Sequence, residues 1–144
     1  MKNLVFTLCL LIVSIAFVAC DEEKLVSIDK LPTTAQTFIQ THFPAQEATR
    51  IEKDRDSYDV YLANGVSIDF TKSGDWDDVD CRGQEMPASI IALIPEAISA
   101  YVAEHYPNQF ISEINKEHFG YEIDLNNYIE LEFNKTGAFL RLDY

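Results

Sequence analysis

Few residues in this chain have types and spacings that suggest chemistry, and most of those that do are carboxylates. Asp75, Asp77, Asp78 and Asp80 crowd one short run whose oxygens suit calcium, a hard cation that prefers carboxylate ligands. The run lacks the Gly and Glu positions of an EF-hand loop, and a solvated strand edge accounts for it better. His42 and His105 could hold a metal through their imidazoles, but each ends an apolar helical stripe, where a core-edge histidine is the plainer reading. His118 belongs to no motif. Paired carboxylates for glycoside hydrolysis normally sit in a deep cleft of a larger fold. The chain has no Gly-rich phosphate loop, nucleophile elbow, zinc signature or redox Cys pair, so neither an enzyme nor a cofactor is expected.

The cysteines divide by compartment. After Met1-Lys2-Asn3 comes an uninterrupted apolar run from Leu4 to Phe17, the charged start and apolar middle of an export signal. The run is too short to span a bilayer core, which needs about 20 residues. Cutting after Ala19 as an ordinary signal would put bulky Phe17 where a small residue is wanted. Phe-Val-Ala-Cys instead resembles a bacterial lipobox, with Phe17 where Leu is usual, and marks Cys20 as the lipidated first residue of the mature protein. Residues 1–19 are then a lipoprotein signal peptide and 20–30 a tether. The localisation that follows is the cell envelope, as an outer-membrane lipoprotein facing periplasm or cell surface. Cys9 leaves with the signal, so Cys81 is a lone thiol that can form no internal disulfide and reads as buried filler.

Loss of residues 1–19 removes Lys2 and leaves 10 basic against 24 acidic residues, a net charge of −14. Nucleic acid and anionic membrane surfaces favour basic patches and are excluded as partners, the lipid anchor being the only membrane contact expected. Abundant aromatic and β-branched residues argue for a packed domain over 31–144, which at this length folds without metal or disulfide.

The elements that position these residues come in two sets. Sliding the sequence on itself by 63 residues aligns 31–80 with 94–143 without a gap. Pro32, His42, Pro44, Tyr58, Phe70, Gly74 and Asp80 recur as Pro95, His105, Pro107, Tyr121, Phe133, Gly137 and Asp143. Of the aspartate run only Asp80 recurs; Ala138, Leu140 and Arg141 replace the others. Each set opens on a proline at the expected first helical position. Ala35, Phe38, Ile39 and His42, echoed by Ile98, Tyr101, Val102 and His105, then fill one helical face. Pro44 and Pro107 end the helices.

The period then changes to two. Tyr58-Val60-Leu62 and Val66-Ile68-Phe70 alternate with polar residues across Asn64-Gly65, a hairpin signal repeated by 121–133 around Asn126-Asn127. Flanking strands near 48–53, 76–80, 110–116 and 139–143 complete an α+β reading: a tandem duplication of one helix plus a four-stranded antiparallel meander, both helices covering one sheet face. Residues 86–93 form a short helix on the seam.

The frame Leu-Pro, helix, His-Phe-Pro, hairpin, Lys-Ser-Gly, Trp76-Asp-Asp-Val-Asp80-Cys81, Met-Pro-Ala and a second copy resembles the PepSY-like family of bacterial exported proteins, also described as β-lactamase-inhibitor-protein-like. The resemblance covers nearly all of the mature chain, and its motifs are structural. It implies one continuous curved sheet shared by two helix-plus-sheet units. Inhibitors of this architecture bind a protein through the open sheet face, and peptidase inhibition is proposed for PepSY domains. No binding motif of either is recognisable here.

Alternation sends Asp59, Tyr61, Ser67, Asp69 and Thr71, with Glu122, Asp124, Glu130, Glu132 and Asn134, to the face opposite the helices. Six carboxylates on neighbouring strands repel unless something offsets them. The expected function is a non-catalytic binding or inhibitory module that takes a cationic protein or peptide on this face, with Tyr61 as anchor. The alternative is a calcium- or small-ligand-binding envelope lipoprotein.

Overall fold

The computed structural model describes residues 24–143. The expected signal peptide, Cys20 and the start of the tether lie outside them. Pro32 and Pro95 set the helix starts one residue earlier than expected, at the N-cap, because their φ of −54° and −55° fits a helix while their ψ stays extended. Helix α1 (Thr33–His42) buries Ala35 and Ile39, and the later ten-residue helix (Glu96–His105) buries Ile98 and Val102. A one-turn helix, α2 (Ala88–Ile91), precedes the latter, which is therefore α3. Among the described residues no helix is long and apolar enough to cross a membrane.

Nine strands form one antiparallel sheet in sequence order: β1 (Lys24–Leu25), β2 (Ala48–Lys53), β3 (Ser57–Leu62), β4 (Ser67–Thr71), β5 (Trp76–Asp80), β6 (Ile111–Lys116), β7 (Gly120–Leu125), β8 (Glu130–Asn134) and β9 (Phe139–Asp143). The bounds of α3 and β6–β9 lie 63 residues beyond those of α1 and β2–β5. The segment expected to be tether contributes more than a tether. Lys24 and Leu25 pair with Lys53 and Glu52, and Val26 donates to Ile51 O at 3.0 Å and packs on the core. Two paired residues are too short for any period to announce. The second hairpin also differs in detail: Tyr128, 98% exposed with φ 65°, takes the place of Gly65 with φ 92°.

One row of side chains explains the register. Ile51, Val60, Ile68, Val79, Ile114, Ile123, Leu131 and Leu142 are successive cross-strand partners from β2 to β9. All but Leu142 are buried. A slip of one residue at any pair would turn that strand's members of the row to water. Phe38 meets Phe70 edge-on at 5.6 Å and Tyr101 meets Phe133 at 5.4 Å, so both helices press on the face that carries the row. His42 and His105 close their helices over Phe38 and Tyr101, bonded to Ser89 Oγ at 2.9 Å and Tyr101 O at 3.0 Å, and share no site. Cys81 is buried beside Met86 Sδ at 3.7 Å, and burial pushes its thiol up to about 12, where no reactive thiolate forms.

Candidate binding face

Because the apolar row fixes the register, the residues between its members line up on the other face. Asp59 lies opposite Asp69, and Asp69 opposite Asp78. In the neighbouring row Asp80 faces Glu113, Glu113 faces Asp124 and Asp124 faces Glu130. Each like-charged rung costs about 0.2–1 kcal/mol, whereas each buried aliphatic of the apolar row contributes about 1.5–3 kcal/mol. Core burial therefore wins and holds the carboxylates in ranks.

The aspartate run is not a strand edge. β5 is the fifth of nine strands and pairs on both sides, because the β5–β6 contact joins the two sets of elements. A bulge between Asp69 and Phe70 leaves Asp77 as an extra residue, so Asp77 and Asp78 both lean over the open face while Trp76 and Val79 stay buried. Asp75 remains in the preceding turn, accepting from Ser73 Oγ at 2.7 Å.

The face is concave between β3 and β6. A cavity of about 570 Å³ is walled by Asp59, Tyr61, Asp69, Asp78, Glu113 and Lys116. Removal of water around these groups, followed by the charges of Asp59 and Asp77 and opposed by Arg82, raises Asp69 to about 6, although its own side chain still reaches solvent. Burial and then Glu52 push the Asp59 carboxyl up; burial raises the Tyr61 phenol as well. Asp78 hydrogen-bonds Glu113, and both carboxyls are shifted upward, by burial first and by surrounding carboxylates second. Lys116 stands over the Trp76 ring at 3.4 Å and donates to Trp76 O at 2.9 Å, its ammonium weakened by burial.

The expected site residues thus separate into three groups. Asp59, Tyr61 and Asp69 line the cavity. Glu122, Asp124 and Glu130 form a second cluster, each offering an oxygen within 4.8 Å of the others. There burial, Glu130 and Asp124 raise Glu122 to about 7, and Asp124 Oδ1 is buried without a hydrogen-bond partner. Glu132 is committed elsewhere: it is buried and accepts two bonds from Arg141, at 2.6 and 2.8 Å, which takes it out of the free carboxylates. Asp78, Asp80, Glu113 and Lys116 complete the cavity and were absent from the expected face. The flanking of Ile114 by Glu113 and Asn115 was the signal for the β6 part.

A family model described as "Putative beta-lactamase-inhibitor-like, PepSY-like" matches residues 17–58 and 56–141. The chain belongs to this family. Among solved structures it is similar to a "putative periplasmic protein of unknown function" from Bacteroides vulgatus, with 32% identity and a TM-score of 0.80 over 85% of this chain and 100% of that one. A second B. vulgatus periplasmic protein shares 35% identity at a TM-score of 0.78, covering 87% of this chain and 99% of that one. A Bacteroides thetaiotaomicron protein described as a "putative calcium-regulated periplasmic protein" shares 32% identity at a TM-score of 0.78, over 86% of this chain and 98% of that one. No curated protein matches the chain. The PepSY-like membership carries a fold and no catalytic residues.

Proposed function

We propose that this PepSY-like protein is a non-catalytic binding module of the cell envelope, lipid-anchored through Cys20, that captures a cationic segment of a protein or peptide on its concave acidic face. Its two sets of elements are copies of one duplicated unit. The periplasmic relatives support the compartment, and the lipobox supports the anchor. The observation that carries the binding role is the rank Asp59, Asp69, Asp78, whose repulsion a partner's cations would relieve, beside the aromatic wall of Tyr61. Captured from native envelope extract on the immobilised protein, such a partner should bind best at low ionic strength. Asp59→Lys combined with Asp69→Lys should weaken capture about 100-fold while leaving the melting curve intact. Unchanged capture by that variant would move the binding surface elsewhere.

A second reading rests on Glu122, Asp124 and Glu130. Three converging carboxylates, one with a buried oxygen lacking a partner, fit a hard cation better than the aspartate run does, and one similar structure is described as calcium-regulated. Calcium should then raise the melting temperature by roughly 5 °C or more at saturation and magnesium should not. The rise should shrink below pH 6, since the Glu122 proton must leave before the metal binds. A calcium shift that survives Glu122→Gln with Glu130→Gln would place the ion outside this cluster.

A further inference from the structure

We propose that the seam between the two halves of the sheet is a proton-held joint: a single proton shared by Asp78 of β5 and Glu113 of β6 binds the strands across the junction, and its loss loosens that junction before any other strand pair. The seam is the thinnest contact of the long strands. Only Asp78↔Asn115, Val79↔Ile114 and Asp80↔Glu113 are in register there, against five registered pairs between β3 and β4. Asp78 and Glu113 sit on a diagonal across the junction and are hydrogen-bonded to each other. Two carboxyl groups can form that bond only while one of them carries a proton.

Ionisation of both would leave Glu113 opposite Asp80 on one side and Asp124 on the other, with Asp69 opposite Asp78. The other charged groups facing this point are Asp59 from β3, Asp77 from β5, Lys116 and Glu117 from β6 and its following turn, Glu122 from β7, and Arg82, whose Nε pairs with Asp80 at 2.9 Å. Carboxylates predominate in this set, so the proton is the group that relieves the crowding. The raised titration of both carboxyls agrees in sign. The fold retains a proton that an unfolded chain gives up near pH 4, so the joint's contribution is whole below that pH and is lost as pH climbs through the higher folded values.

Amide hydrogen exchange on the purified protein tests this. The Cys81 N–H donates to Ser112 O across the seam at 2.8 Å and reports on the joint. Its protection factor, corrected for intrinsic rate, should fall about tenfold between pH 6 and pH 8.5, the effect of about one unit of proton linkage, while the β3–β4 amides hold theirs. Asp78→Asn replaces the shared proton with a permanent donor and should abolish the difference. Asp54→Asn, an exposed carboxylate in the β2–β3 turn, should leave it untouched, which separates the joint from the general repulsion of an acidic chain. Carbon-13 titration of the wild-type side chains gives an independent reading. Seam amides that track β3–β4 at both pH values, or Asp78 and Glu113 both titrating near 4, would overturn the proposal.

Discussion

Expressed separately, residues 24–83 and 84–144 should each lose cooperative folding altogether, and mixed in equal amounts they should recover it. The reason is that the two halves have one core. Cys81, Met86, Ile90 and Ile94, in the connection itself, are buried in the same cluster as Phe70 and Phe133. Cutting there exposes Val79 and Ile114, both fully buried, and strips the ladder partners from β5 and β6, leaving polar backbone on edges that the sheet now covers. Each fragment would be left with one ten-residue helix over its strands, a core too small to offset chain entropy. Circular dichroism melts of the fragments, alone and mixed, check this. A sharp melt from either fragment alone would show that the halves are independent.

Gly120→Ala should destabilise the protein by about 3 kcal/mol or more, the largest effect expected of one added methyl group. Gly120 opens β7 opposite Asn134, with φ 156°, and a Cβ built on it would lie 2.1 Å from Phe133 O and 2.4 Å from the Asn134 carbonyl carbon. Those atoms are backbone and cannot swing aside, so β7 and β8 must part where Phe133 and Leu131 are fully buried. The equivalent position in the first half is Ser57, opposite Thr71, which already accommodates a side chain. Ser57→Ala should therefore stay within about 0.5 kcal/mol of wild type. Urea unfolding midpoints of the two variants decide the matter, and a Gly120→Ala protein as stable as Ser57→Ala would show that the strands can yield.

The parts legible in the sequence were those governed by period. The stripe Ala35, Ile39 and its echo Ile98, Val102 are the helix faces that pack, and Tyr58, Val60, Ile68 and Phe70 turn inward as alternation requires. The same alternation places Asp59, Tyr61 and Asp69 together on the open face. What escaped depends on pairing between distant segments or on broken period. The bulge at Asp69 and Phe70 re-aims Asp77 and Asp78, and no alternation rule predicts an extra residue. The approach of β6 to β5 turns an expected edge into the sheet's centre and brings Glu113 to Asp78. Glu132 looked as free as its counterpart Asp69 until the register set it against Arg141, a residue that stands where the first half has Asp78.

The strict sequence order of the strands bears on how quickly the chain can find its fold. Within β2–β5 and within β6–β9, consecutive strands are linked by only three or four residues, so each hairpin closes locally and rapidly. The β5–β6 connection is different, because residues 81–110 must be looped and α2 and α3 placed before it can close. Relative to a four-residue turn, that loop costs roughly 2 kcal/mol more in closure entropy. The slow event in assembly is then the docking of two nearly complete meanders along β5 and β6, the same line on which the aspartates and Glu113 converge, so the rank of carboxylates is assembled only when folding is otherwise finished.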